Sequence, residues 1–146
     1  MDTIRNLFGG FRATASGMAA ERVRMDVISR NIANASTTRM PGSVEPVPYR
    51  RQVVHFAPIL QKVEGGKQEV RGVRVSEIGL DHKTPFEEVY DPTHPDSDAN
   101  GIVRMPNVNT MKEMADLMTA VRAYEANLKA QDSFVQMAER ALRLAQ

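Results

Sequence analysis

Residues 24–37 read RMDVISRNIANAST. Apolar side chains recur at helical spacing through this stretch, yet two asparagines, Asn31 and Asn34, sit inside the pattern. Asparagine is a poor interior helix residue because its amide competes for backbone groups. Two amides on a helix otherwise built to pack need partners, and where those partners lie decides how the helix is used.

Upstream of this stretch the pattern extends to the chain start. Ile4, Phe11, Met18, Met25 and Ile32 recur at intervals of seven, with Ile28 on the companion row. The seam is coiled-coil-like but imperfect, because Thr14 and Glu21 interrupt that row. Gly9, Gly10 and Gly17 read as local weaknesses, each costing roughly 1 kcal/mol against alanine in a helix interior. The other end of the chain repeats the design. Met114, Val121, Leu128, Val135 and Leu142 are spaced by seven, Leu117 and Tyr124 thicken the stripe, and Gln131 interrupts it. Asn107 or Asn109 is placed to cap this second helix, and Thr110 with Glu113 has capping-box spacing.

All eight prolines fall between Pro41 and Pro106. Proline breaks helix interiors, so it divides the chain into three parts: an N-terminal helix in 1–38, a middle in 39–106 and a C-terminal helix in 107–146. In the middle, 49–56 reads as a strand. Residues 59–64, Gly65-Gly66 and 67–75 read as a hairpin, and 86–109 as a turn-rich connection. The expected class is α+β: two long terminal helices forming an antiparallel coiled coil, with a small β-rich, proline-containing middle. A helix over 4–36 would be roughly 50 Å long. A compact chain of this size has a radius of gyration of only about 15 Å. Pairing the helices covers one face of each, so helices from other chains are the natural completion.

Composition removes several classes of function. Nineteen Lys and Arg nearly balance eighteen Asp and Glu, which argues against a partner bound through bulk charge. Arg50, Arg51, Arg71 and Arg74 lack aromatic interleaving, so no nucleic-acid partner is expected. The chain has no cysteine, which rules out disulfides, thiolate zinc sites and cysteine nucleophiles. No apolar run approaches the ~20 residues of a membrane span. The segment MDTIRNLFGGFRATASG lacks a continuous apolar region, so no cleaved secretory signal is expected.

DSDANG, residues 96–101, matches the first half of a calcium-binding EF-hand loop. The twelfth position, which must supply a bidentate carboxylate, is Asn107. Asp, Asn and Gly are ordinary turn residues, so the expectation is a metal-free turn with Asp96 and Asp98 on backbone or solvent. His94 has Asp91 nearby, but His55 and His82 are distant and no zinc-hydrolase spacing exists. Neither a nucleophile elbow nor a phosphate-cradling loop occurs. No catalytic residue, cofactor or metal site is therefore assigned, and an enzyme is not expected.

ASGMAAERVRMDVISRNIANAST (15–37) resembles the N-terminal helix motif shared by bacterial flagellar rod and hook proteins. EMADLMTAVRAYEANLKAQ (113–131) resembles their C-terminal partner helix. YDPTHPDSDANGIVRMPNVN (90–109) is similar to the connection found in short members of the proximal rod, apart from Ile102, where an aromatic would be expected. The resemblance implies a structural subunit of the basal-body rod, whose helices stack around a hollow axial tube that carries torque. It implies copies of the chain and other rod proteins as partners, with contacts to basal-body or export-apparatus proteins. It also implies export through the flagellar type III apparatus to a final place in the periplasm. On this reading Asn31 and Asn34 pin the register against neighbouring helices, as do Arg122, Glu125 and Asn127 on the second helix. The simpler role for Asn34 is to end its helix. Another rod subunit, or a cytoplasmic coiled-coil adaptor, is the alternative.

Overall fold

Helix α1 runs from Asp2 to Ala33 and helix α2 from Thr110 to Leu144 in the computed structural model. It describes residues 2–62 and 68–144, and the side chains of 9–62 and 68–143. The Gly65-Gly66 turn and the Ile4 side chain lie outside the described residues.

The helix ends follow from local chemistry. At the start of α2, Asn109 Oδ1 accepts the Lys112 N–H at 3.0 Å, which makes Asn109 the N-cap. Asn107 is not the cap, and Glu113 does not reach back to complete a capping box, because its carboxylate turns inward. At the end of α1, Asn34 Nδ2 donates to the Arg30 carbonyl at 2.8 Å and Asn34 Oδ1 accepts from the Thr37 hydroxyl. Among the described residues only glycines have positive φ, so Asn34 ends the helix with its amide and not by a left-handed turn.

Strand β1 (Gln52–Lys62) pairs with β2 (Gln68–Leu80) in a two-stranded sheet. Five residues join them, too few for a parallel crossover, so the pair is antiparallel. The two runs expected at 49–56 and 59–64 are one strand that passes through Pro58. A two-stranded sheet tolerates this, since each strand has a free edge on which a missing N–H costs no ladder bond. The strand starts three residues later than expected. Tyr49 N–H donates to Thr37 O and Arg51 N–H to Asn107 Oδ1, so neither serves a ladder.

A second hairpin lies in the stretch read as a connection. β3 (Glu87–Tyr90) runs antiparallel to β4 (Ile102–Met105), with Val89 opposite Val103 and Tyr90 opposite Ile102. Gly101, at φ +78°, lies against the Tyr90 ring, 2.8 Å from where a Cβ would stand. Only glycine meets both demands there.

The chain forms two compact units. Unit 1 comprises 1–25, 54–77 and 118–146, and unit 2 comprises 26–53 and 78–117. In unit 1, Gly10 faces Phe134, whose ring would stand 2.5 Å from an added Cβ, and Gly17 faces the Asn127 amide at 3.1 Å. These pairs run in opposite directions along the two helices. The glycines are thus slots for side chains of α2, which the reading of them as weak points did not capture. Gly72 lies against Ser16, whose Oγ accepts the Val73 N–H at 3.1 Å. In unit 2, Val27, Ile28, Tyr49 and Val103 form the buried apolar core around Asn31 and Glu113.

The inward faces of the helices differ from the expected seams. On α2 the inward positions are Glu113, Leu117, Ala120, Tyr124, Asn127, Gln131, Phe134 and Ala138, spaced alternately by four and three. Met114, Val121, Leu128, Val135 and Leu142, expected to face the first helix, are all exposed. On α1, Gly10, Gly17 and Asn31 face inward, each one residue before Phe11, Met18 and Ile32. Phe11 is exposed, while Met18, Met25 and Ile32 are half-buried. One residue corresponds to about 100° of helix rotation, so the large apolar rows sit beside the intrachain seam and not in it.

Replacing Gly10 with leucine is expected to destabilise the folded chain despite leucine's better helix propensity. Displacing the Phe134 ring should cost about 1–3 kcal/mol, more than the roughly 1 kcal/mol gained in the helix. Urea titration followed by helical circular dichroism measures the balance.

Candidate functional site

The most ordered chemistry in the molecule is a polar cluster buried in unit 2. Asn31 and Glu113 are both 0% exposed. Asn31 Nδ2 donates to Glu113 Oε2 and to the Gln52 carbonyl, each at 2.9 Å. Its Oδ1 accepts the Tyr49 hydroxyl at 2.8 Å and the Gln52 N–H at 2.9 Å. The amide has two donors and a carbonyl with two lone pairs, so its whole capacity is used inside the chain. Asn31 therefore needs no neighbouring subunit to satisfy its amide. Its partners come from a strand and a second helix that are distant in sequence, which is why they could not be read from residues 24–37.

Glu113 is held from the other side by Arg51, whose Nε donates to Oε1 at 2.7 Å. The Arg51 guanidinium also stands 3.8 Å from Asp81 and 3.7 Å from Asp116. Asn107 completes the frame: its Oδ1 accepts the Arg51 N–H, and its Nδ2 donates to the carbonyls of Asp81 and Thr84. Sequence reading passed over Arg51 and Tyr49, since a lone arginine or tyrosine in a strand carries no signal of its own. Burial raises the Tyr49 phenol above its ordinary pKa, the Arg30 charge lowers it in part, and Glu113 adds to the rise. The hydroxyl thus remains a donor to Asn31 at neutral pH.

The DSDANG segment is a set of turn caps. Asp98 Oδ1 accepts the backbone N–H groups of Asn100 at 2.8 Å and Ile102 at 2.9 Å. Asp96 is bound to side chains and not to backbone donors as expected. It accepts from the Thr38 hydroxyl at 2.7 Å and from Arg39 Nε at 2.8 Å. These bonds hold both carboxyls below the usual aspartate range: the Thr38 hydroxyl, then Arg39, for Asp96, and the Ile102 and Asn100 amides for Asp98. The Thr84 amide and hydroxyl do the same for Asp81. No group of three or more potential metal ligands converges among the described residues.

The other assigned residues divide between two faces. Asn127 packs into the Gly17 slot, and its Nδ2 returns to the Ala123 carbonyl at 3.0 Å. Leu117 and Tyr124 are half-buried on the same inward face, and Ile28 is buried. Arg122 and Glu125 are exposed on α2. The outward face of α2 carries Met111, Met114, Met118, Val121, Leu128, Val135 and Leu142, from 38% exposed at Val121 to 76% at Met111. Exposed apolar surface of this kind is the usual chemistry of an interaction face. No described helix is long and apolar enough to cross a membrane.

The two helices meet at their inner faces and leave an apolar row outside. Residues 11–39 match the family described as flagella basal body rod protein, and residues 99–144 match the C-terminal family described as flagellar basal body rod FlgEFG protein. More specifically, the chain belongs to the FlgC family of flagellar basal-body rod proteins. It is 42% identical to the FlgC of Bacillus subtilis, with 94% of this chain and 97% of that protein covered. It is also 42% identical to the FlgC of Borreliella burgdorferi, covering 96% and 98%. With the FlgC of Salmonella typhimurium the identity is 35%, over 93% of this chain and 96% of that protein.

Glu113→Ala should destabilise the fold by about 2–4 kcal/mol. It leaves Asn31 and Arg51 without their partner in a buried site, offset in part because Arg51 reaches solvent. Arg122→Ala should change stability by less than ~0.5 kcal/mol. Chemical denaturation of both variants checks the contrast. The pH dependence follows from the carboxyls of Asp81, Asp96 and Asp98. Their folded values lie below their unfolded ones, so their stabilisation is complete above about pH 5 and is lost as pH falls through the folded values. Acid titration should leave the fold unchanged from neutral to about pH 5 and unfold it below, and Asp96→Asn should reduce the slope.

Proposed function

We propose that this chain is a structural subunit of the proximal rod of the bacterial flagellar basal body. It assembles helically into the hollow shaft that transmits torque from motor to hook. Family membership supports the rod role, and the observation that carries the assembly reading is the apolar row along α2. The seam between the helices takes Leu117, Tyr124 and Phe134 together with small and polar residues, which leaves Met114, Val121, Leu128, Val135 and Leu142 for other subunits. Neighbouring helices cover the row, burying apolar surface at roughly 25 cal/mol per Å². An interface between unlike faces does not close on itself and so propagates as a filament. Torque then passes through many packed helices, with no catalytic step and no cofactor.

The paired helices act in this reading as an antiparallel coiled coil. Their partners are copies of the chain and other rod proteins, and the place of work is the periplasmic rod, reached through the flagellar export apparatus. Long helices in proteins draw most of their stability from packing, so assembly adds to the stability of the paired terminal helices. The Arg122 and Glu125 side chains, exposed beside the apolar row, contribute polar contacts to neighbours.

Val121→Asp and Leu128→Asp are expected to abolish assembly and motility while leaving the dilute subunit's circular dichroism unchanged, because each places a charge on a face that only assembly buries. Normal motility with either aspartate would overturn the assigned interface. A well-folded dimer that does not polymerise would instead favour a coiled-coil adaptor.

A further inference from the structure

The seam in unit 1 is periodic. Gly10 and Gly17 are seven residues apart, and so are Asn127 and Phe134. Sliding one helix by a heptad would bring Gly10 opposite Asn127, and a glycine slot accepts either side chain. Small residues such as Ala20 and Ala120, both buried, add little that distinguishes one register from the next. In unit 2 the pairing is of another kind. Asn31 and Glu113 are fully buried and bonded to each other, and Asn31 is tied by two further bonds to Gln52. A heptad slip would move Glu113 away from both Asn31 and Arg51, leaving a carboxylate, an amide and a guanidinium without their bonds.

We propose that the Asn31–Glu113 pair is the register determinant of the helix hairpin, a specificity device that selects one alignment of α1 on α2. A buried polar pair is suited to this. Its net stabilisation is small, but its bonds exist in one alignment only, whereas apolar and glycine contacts recur every heptad. Arg51 makes the selection stricter, because Glu113 must also meet a cation fixed at the start of β1. The inference does not depend on the rod assignment. It concerns the chain's own pairing and applies equally to an adaptor.

The absence of native cysteine makes the register directly measurable. Val27 precedes Asn31 by four residues and Leu117 follows Glu113 by four, so Val27→Cys with Leu117→Cys reports the native alignment. Val27→Cys with Thr110→Cys reports a slip of one heptad. Each pair is placed in the full-length chain with the native Glu113, with E113M, with E113Q and with N31L/E113L, and oxidised after helicity is confirmed. With Glu113 the native crosslink should exceed the slipped one by at least about tenfold, and E113Q, which keeps an acceptor for Asn31, should retain most of that preference. E113M and N31L/E113L should reduce it to within about threefold. An undiminished preference in whichever of these two folds would overturn the proposal. If neither folds, the pair is needed for the helices to associate at all and does not choose between alignments, which also overturns it.

Discussion

The contact between Asn31 and Glu113 is the constraint on which the rest of the molecule depends. Burying Glu113 fixes the rotation of α2 about its own axis, because Met114, one residue on, must then point about 100° away. Burying Asn31 does the same for α1 and Ile32. The consequence reaches along both helices: Glu113, Ala120, Asn127 and Phe134 share the inward row, and Met114, Val121, Leu128 and Val135 share the exposed one. A single polar pair thereby bears on which face the helices turn to each other and which they leave exposed.

This arrangement reverses the usual division of labour. In a self-sufficient hairpin the largest apolar row closes the intrachain seam and polar residues face water. Here the seam combines glycine slots, alanines and a hydrogen-bonded cluster with Leu117, Tyr124 and Phe134, while a second row of large apolar residues stays outside. In unit 1, Phe134 occupies the space that a side chain on residue 10 would need. The second row lies on the outside of α2. On the proposed reading a rod subunit gains from this, because that apolar row is then buried only between subunits.

The turns of unit 2 support the cluster through charge and backbone bonds. Asp81 and Asp98 satisfy donors of their own turns, Asp96 bonds Thr38 and Arg39, and all three sit below their ordinary pKa range. Asn107 ties the segment before α2 to Arg51 and to the Asp81–Thr84 turn. Residues that look like metal ligands in sequence are thus consumed by turn geometry, and the cluster gains a rigid surround.

Much was legible in the sequence. Proline distribution and heptad spacing gave two terminal helices and a β-containing middle, and the motifs at 15–37, 90–109 and 113–131 pointed to the flagellar axial proteins. These are local properties: a proline excludes helix wherever it stands, and a periodic row needs only its own segment to be seen. The four-residue strands β3 and β4 were missed because so short an alternation cannot be told from a turn. The partners of Asn31 were beyond reach for a different reason. Periodicity defines which residues share a face of a helix, but not which of two adjacent faces turns inward. That choice was made by Gln52, Tyr49, Arg51 and Glu113 meeting around one amide, and only the folded chain brings those groups within 3 Å of their partners.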